Sequence, residues 1–368
     1  MKIVVKKKYM ENKIIDKRLY HVDILRILAA VLVIFNHTGT WGFSLFTKAQ
    51  DSKFYLFYMV ISILDKIDVP IFFMISGALL LSREVDFRQT INRIWKYIVL
   101  IVGASFLVYT YKFVFGEMDY FLTDFWSKLY TCKIDGRFWF LYSYLAFLIM
   151  LPPLQKLVVN LKRKDFYYLF IIHIIFVGII PMLEYVIGGD VKVLTNNLNI
   201  VLVNSSFVFY PIMGYYVENI LDVEKFDKKI FYKMIITNFI VILITCIMTQ
   251  YKINITGICN ENESQTFHSC LISIPTVSVY CGVKYLFMKI KMNSVTCKII
   301  SELASVTLGV YLLEAMIRDR TSFILGFLYH RMHLRTLPSC IVYVLAVFVI
   351  CGAITYLLKR IPVIKNYL

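Results

Sequence analysis

The apolar residues of this chain lie in long runs that are separated by short polar segments. Ten of the runs approach the ~20 residues that a helix needs to cross the hydrocarbon core of a bilayer. We place them at 23–45, 67–83, 95–115, 138–158, 166–187, 197–219, 230–250, 269–289, 299–317 and 338–358. Another apolar stretch, 54–66, ends in charged residues, which favours a helix at the outer interface. The pattern predicts an all-α, polytopic membrane bundle of about ten transmembrane helices.

The composition supports a membrane location. Apolar residues make up 59% of the chain and charged residues only 17%, too few charges to cover the surface of a soluble domain of this size. The net charge of +16 raises the question of a nucleic-acid partner. However, the lysines and arginines are concentrated in short segments between the apolar runs, which indicates membrane topology instead. We therefore expect membrane lipids, and no nucleic acid, among the partners.

The distribution of basic residues also predicts the orientation. They are enriched in the N-terminal tail, in the segments after the second, fourth and eighth spans, and at the C-terminus. With an even number of spans these segments share one side, so both termini are predicted to be cytoplasmic. Residues 1–22 then form a basic cytoplasmic tail and 23–368 the membrane domain of a multi-pass protein. The outer segment 318–338 is an exception because it contains four arginines; it binds an anionic substrate, folds over the site, or indicates that the last two spans are misplaced.

The first predicted span contains two ionisable residues, Arg26 and His37. They are eleven residues apart, and eleven steps of ~100° place both side chains on one helix face. The helical rise separates them by roughly 16 Å along the axis. Ionisable groups are costly in lipid, so this polar stripe favours a helix that lines a cavity. In the alternative interpretation, Arg26 snorkels to the inner interface and His37 hydrogen-bonds to a neighbouring helix.

Other polar or small residues each have an ordinary interpretation as well. Ser76 and Gly77 allow close helix packing, and the basic residues Arg88, Arg93 and Lys96 fit a topology signal. The aromatic segment at 137–142 fits an interfacial belt, and His173 fits a packing residue. The eight cysteines show neither a CxxC motif nor a metal-binding spacing, so we expect free thiols and no metal. Three of them lie in predicted outer segments, which allows a disulfide: Cys132, Cys259 and Cys270.

Four segments together resemble the acyltransferase-3 family of integral membrane acyltransferases. The resemblance begins with Asp23-Ile-Leu-Arg26 followed by His37, and continues with Val69-Pro-Ile-Phe-Phe-Met-Ile-Ser-Gly. Phe138-Trp-Phe-Leu-Tyr with Pro152-Pro153 is similar to the central tryptophan segment of the family, and the stretch from Ser305 to Glu314 to a late motif. The closing Arg360-Ile-Pro also fits. There are two departures: the late motif commonly ends in histidine rather than Glu314, and the cytoplasmic arginine motif is commonly tighter.

The resemblance implies transfer of an acyl group, commonly acetyl, from cytoplasmic acyl-CoA (here acetyl-CoA) to a hydroxyl of a surface polysaccharide or lipid-linked sugar. It implies catalytic roles for His37, Arg26 and Glu314, with His37 acting as general base or as acyl carrier. The polyanionic CoA would be bound by Arg26, Arg88, Arg93, Lys96, Ser76 and Gly77, and the acceptor by Arg137, Trp139 and Tyr142. A composition rich in Ile, Lys and Asn fits a bacterium with an AT-rich genome, so the expected location is the bacterial cytoplasmic membrane. The alternative function is a transporter or flippase of a lipid-linked glycan.

Overall fold

The computed structural model describes residues 18–116, 121–191, 194, 197–332 and 335–367. All regular secondary structure within these ranges is helical, so the all-α prediction is confirmed. Most of the predicted cytoplasmic tail, residues 1–17, lies outside the described residues. The sidedness of the two termini therefore remains a prediction.

The helices follow one another with short connections. In chain order they are α1 (Tyr20–Asn36), α2 (Tyr55–Asp65), α3 (Asp68–Leu80), α4 (Phe87–Val114), α5 (Leu122–Tyr130), α6 (Trp139–Ile149), α7 (Leu151–Asn160), α8 (Arg163–His173), α9 (Ile180–Gly188), α10 (Val201–Asn204), α11 (Ser206–Asn219), α12 (Lys228–Thr256), α13 (Ser273–Lys289), α14 (Ser294–Ser305), α15 (Thr307–Thr321), α16 (Phe323–His330), α17 (Thr336–Leu358) and α18 (Pro362–Lys365). A π-helical segment, Ile174–Ile179, joins α8 to α9.

Four stretches of helix are long and apolar enough to cross a membrane: α4, α8 with α9, α12 and α17. Two bent pairs, α6 with α7 at 63° and α14 with α15 at 55°, raise the number among the described residues to six. The other four expected spans correspond to the shorter helices α1, α3, α11 and α13, of 17, 13, 14 and 17 residues. The structure thus supports a helical membrane protein, and the number ten remains a prediction.

Helix α1 lies at the centre of the bundle. It packs against α2, α3, α13, α14, α15 and α17, and its apolar side chains Leu25, Ala29 and Ile34 are fully buried. The expected span 23–45 was too long, because α1 ends at Asn36. The chain then turns at Gly39, whose φ of +56° is a conformation that glycine adopts without strain. His37 is therefore the residue that follows the helix, and it does not lie within it.

Helices α3 and α11 approach each other through two glycines. A side chain at Gly77 would collide with the backbone of Pro211, and a side chain at Gly214 with the backbone of Met74. Small residues permit such close helix contacts in membranes. Both helices begin beside the same cavity, since Val69 and Ser206 line it. The glycine contact thus holds two walls of this cavity together.

Candidate functional site

A cavity of about 270 Å³ lies at the C-terminal end of α1. Its walls come from the end of α1, the start of α3, the start of α6 and α11, the π-helical segment and the middle of α15. Polar and aromatic side chains on these walls include Asn36, His37, Lys66, Asp68, Arg137 and Trp139. Ionisable groups that gather around a cavity within a membrane protein indicate a functional site.

Glu314, a residue of α15, contacts the side chain of His37. Its Nδ1 lies 2.9 Å from Oε1 of Glu314, a carboxylate whose side chain is only 1% exposed. The imidazole is turned so that this contact lacks the linear geometry of a hydrogen bond. Arg318 completes the arrangement, because its guanidinium donates to Oε2 of Glu314 at 3.1 Å and to the backbone carbonyl of His37 at 2.7 Å. Glu314 thus lies against one nitrogen of the ring, and Arg318 holds both Glu314 and the backbone of His37 in place.

The loop between α2 and α3 brings further charges to the cavity. The side-chain amide of Asn36 donates to Oδ2 of Asp68 at 3.4 Å, and Asp68 lies within electrostatic range of His37. The ammonium of Lys66 lies 4.5 Å from the ring centroid of Phe43. Asp65 is 2% exposed, and neither of its carboxylate oxygens has a hydrogen-bond partner in the described part of the chain. This segment therefore places Lys66 and Asp68 on the wall of the cavity that His37 also lines.

Arg137 enters the cavity with its charge already compensated. Its guanidinium donates to both carboxylate oxygens of Asp135, at 2.8 and 2.6 Å, and the Tyr311 hydroxyl donates to its backbone carbonyl. Burial acts to raise the pKa of the Asp135 carboxyl, but the hydrogen bonds from Arg137 outweigh burial, so that the pKa lies below its ordinary value. Such bidentate pairs have a fixed geometry. Arg137 is thus a rigid part of the cavity wall, which Trp139 also lines.

His173 also lines the cavity, although the sequence favoured a packing residue. Its Nδ1 donates to the backbone carbonyl of Val203 at 2.7 Å, and its ring stacks on Phe209 with 3.6 Å between centroids. The π-helical segment begins at the next residue and carries Val177 to the cavity wall. His173 is therefore a packed and hydrogen-bonded residue with one edge at the cavity.

The structure gathers some of the predicted site residues and separates others. His37, Arg137 and Trp139 line the cavity, and Glu314 contacts His37. Tyr142 instead donates to the backbone carbonyl of Leu129 at 2.6 Å, which directs its hydroxyl to α5. Of the residues that the structure describes, the remaining candidates do not line this cavity: Arg26, Ser76, Gly77, Arg88, Arg93 and Lys96.

Part of that second set meets around Tyr144, a residue that the sequence analysis did not single out. Tyr144 lies beside Ser76 and within electrostatic range of Arg26 and Arg93. Arg88 and Lys96 are exposed on the first turns of the same helix as Arg93. Gly77, in contrast, is covered by α11. The predicted phosphate-binding residues thus lie mostly at one end of α1, whereas His37 and its cavity lie at the other.

Three cavity residues, Asn36, Lys66 and Asp68, were also not assigned to a site from the sequence. The available signal was the interruption of the apolar stretch from 54 to 81 by three charged residues, Asp65, Lys66 and Asp68. Charges in such a stretch are costly unless they face a cavity or a partner. The pattern alone predicts the end of an interfacial helix here, whereas the structure places Lys66 and Asp68 at the cavity.

None of the eight cysteines forms a disulfide in the structure.

Comparison with known protein families gives one match. A family model described as an acyltransferase domain, the acyltransferase-3 model, matches residues 19–358. The match covers nearly the whole chain, including both ends of α1 and the α15 helix that carries Glu314. Neither the curated proteins nor the solved structures contain a significant match to this chain.

Proposed function

Because the chain belongs to the acyltransferase-3 family, with residues 19–358 matching its domain, we propose how this membrane acyltransferase works. It moves an acetyl group from cytoplasmic acetyl-CoA to a hydroxyl of a surface polysaccharide or lipid-linked sugar. The observation that carries the proposal is the 2.9 Å contact between His37 and Glu314 at the edge of the cavity. A carboxylate behind one ring nitrogen orients the imidazole and supports a proton on it, so the other nitrogen is ready for proton transfer.

In the general-base form of the mechanism, Nε2 of His37 takes the proton of the acceptor hydroxyl as that oxygen attacks the thioester carbonyl. The new C–O bond forms, the C–S bond breaks, and the proton passes from His37 to the departing thiolate of CoA. In the acyl-carrier form, Nε2 itself attacks the thioester carbonyl, the C–S bond breaks and CoA leaves as its thiolate. The acceptor oxygen then attacks the acetyl group on Nε2, the C–N bond breaks, and the proton of the hydroxyl passes to the thiolate. Glu314 supports the positive charge of the ring in both forms, and Arg318 keeps Glu314 in place.

The donor would approach from the other end of α1. CoA is polyanionic, and Arg26, Arg88, Arg93 and Lys96 offer cationic groups for its phosphates. Tyr144 lies within electrostatic range of both Arg26 and Arg93 and would contact the same part of the donor. The helical rise puts His37 roughly 16 Å from Arg26, so the pantetheine arm would cover this distance and present the thioester to the imidazole.

The central experiment measures transfer of radiolabelled acetyl from acetyl-CoA by the purified protein in nanodiscs, with glycans of the host envelope as acceptors. His37→Gln is expected to lower the rate by about 10²- to 10⁴-fold, the usual contribution of a general base. His330→Gln is the matched control because His330 is exposed on α16. Wild-type rates in His37→Gln at equal expression contradict the mechanism.

Two further measurements refine the proposal. Rapid quenching followed by peptide mass spectrometry detects an acetyl group on His37 if the residue is an acyl carrier, and none if it is a base. Movement of a lipid-linked glycan across a proteoliposome membrane, with no acetyl transfer under any donor, would instead favour the transporter alternative.

A further inference from the structure

A second cavity, of about 520 Å³, lies next to the turn that follows α1. One side is formed by the segment 40–58, which contains two short 3₁₀ helices and the start of α2. The other side is formed by Tyr329 of α16 and Thr336 at the start of α17. None of the mechanism above uses this cavity.

The walls combine aromatic rings with polar groups. Trp41 and Tyr329 meet edge to face, with 5.8 Å between ring centroids, and both rings line the cavity. Lys48 and Asp51 are exposed at its rim, and neither forms an ion pair within the residues that the structure describes. Aromatic side chains with a polar edge and a few directed polar groups are typical of sites that bind small polar molecules.

The cavity is close to the catalytic histidine along the chain. Thr40 is three positions after His37, so their Cα atoms lie within about 11 Å even for an extended chain. The actual path is shorter because the chain turns at Gly39, where φ is +56°. The cavity therefore lies on the His37 end of α1, away from the Arg26 end where the donor phosphates would bind.

We propose that this second cavity binds a saccharide and is the docking subsite for the acceptor glycan. Sugar rings have apolar C–H faces that pack on Trp41 and Tyr329, and hydroxyls that bond to Asp51 and Lys48. The inference rests on the proposed acyl transfer, because a glycan seated here extends one of its hydroxyls toward His37. One positive and one negative side chain at the rim favour a polyhydroxylated ligand over an anionic lipid headgroup, which prefers a purely basic site.

Binding alone tests the site, without any acyl donor. The purified protein in nanodiscs is applied to an array of neutral and acidic oligosaccharides of bacterial surface glycans. Binding of the best saccharide is then compared in the wild type, Lys48→Gln and Asp51→Asn. Each substitution is expected to weaken binding about tenfold, because a charge-assisted hydrogen bond is replaced by a weaker neutral one. Lys53→Gln is the matched control, since Lys53 is exposed nearby but does not line the cavity.

Substitution of an aromatic residue provides a second test of the same site. Trp41→Leu is expected to abolish detectable binding, and Trp126→Leu, an exposed tryptophan of α5, to leave it unchanged; thermal unfolding verifies that both variants fold. The proposal is overturned if the wild type binds no saccharide of the array, or if Lys48→Gln, Asp51→Asn and Trp41→Leu all bind like the wild type. Transfer of acetyl from acetyl-CoA to the glycan acceptor by the wild type is measured in parallel, because its absence counts against acyl transfer and not against the saccharide site.

Discussion

Helix α1 has a polar cluster at each end, and the two clusters differ in how completely their charges are paired. At the N-terminal end, Glu218 accepts from His21 at 2.6 Å and from Tyr280 at 3.1 Å, and pairs with Lys284 at 2.9 Å. At the C-terminal end, Glu314 and Arg318 hold one side of His37. His37 also borders a cavity, whose lining includes Lys66 and Asp68.

This difference separates a structural network from a site that can act on a ligand. A closed set of buried ion pairs fixes the position of helices, here α1, α11 and α13, and leaves no group free for chemistry. At the C-terminal end, charged groups are buried beside a cavity. Such burial costs free energy, which indicates that the groups bind a ligand or transfer a proton. Residues of similar type in one helix are therefore expected to respond very differently to substitution.

The largest expected effect is on the free energy of unfolding at the closed end. Glu218→Ala leaves Lys284 and His21 buried without their shared carboxylate, which is expected to cost about 3–5 kcal/mol. Unfolding in detergent, followed by circular dichroism, measures this loss, and the folded fraction is expected to keep its specific acetyl-transfer activity. Asp222→Ala serves as control because its pair with Lys225 is largely exposed. A stable but inactive Glu218→Ala protein would contradict the distinction between the two ends.

At the open end, a carboxylate of the same type is expected to affect catalysis instead. Glu314→Gln keeps the size of the side chain but removes the charge that supports a protonated His37, so kcat is expected to fall on the order of 100-fold. Steady-state kinetics at saturating acetyl-CoA measure the change. Glu302→Gln, an exposed position on α14, is expected to behave like the wild type. An unchanged kcat in Glu314→Gln means that Glu314 has no part in the reaction.

The glycine contact between α3 and α11 gives a smaller effect, on stability alone. Gly77→Ala forces a methyl group into the backbone of Pro211, and such overpacking costs about 1–3 kcal/mol. Gly103→Ala in α4 is the matched control, because an added methyl group meets no described atom within 4 Å. Thermal unfolding compares the two variants. If Gly77→Ala is stable yet has a raised KM for acetyl-CoA, the residue belongs to the donor site that the sequence suggested.

The smallest effect is expected for two arginines of α4, the exposed Arg88 and the half-buried Arg93. Replacing both Arg88 and Arg93 with alanine removes two candidate phosphate contacts, and the KM for acetyl-CoA is expected to rise about tenfold with kcat retained. Lys164→Ala, at the start of α8, controls for the loss of positive charge on the same predicted side. An unchanged KM in the double variant places the donor phosphates elsewhere.

Much of the architecture was accessible from the sequence because lipid-exposed helices must be long and continuously apolar. The expected spans 230–250 and 338–358 lie inside α12 and α17, and 95–115 ends one residue beyond α4. The apolar run at 23–45 predicted too long a span, because the residues of a buried turn can be as apolar as those of a helix in lipid. Phe43, Leu45 and Phe46 are buried, yet they pack as turns and a 3₁₀ helix after α1 has ended.

Individual residues of the site could be predicted from the sequence, but the contacts between them could not. His37 stood out because an imidazole in an apolar run is costly, and Glu314 because it occupied the place of a motif residue. Their 2.9 Å contact joins helices from opposite ends of the chain, and no local pattern encodes such a distance. Arg26 and His37 were expected on one polar face, but α1 ends before His37 and the two residues serve different ends of the molecule. The role of each residue in catalysis remains a prediction.

The end of α1 at Asn36 has an electrostatic consequence. A helix that stops inside a membrane protein concentrates partial negative charge on its last carbonyls, which have lost their intrahelical partners. The positive charge of Arg318 offsets this partial negative charge, because its guanidinium donates to the carbonyl of His37 at 2.7 Å. The guanidinium thus acts as a cationic cap for the helix in addition to holding Glu314. The partial negative charge at the end of α1 therefore helps to position the imidazole, in addition to its contact with Glu314.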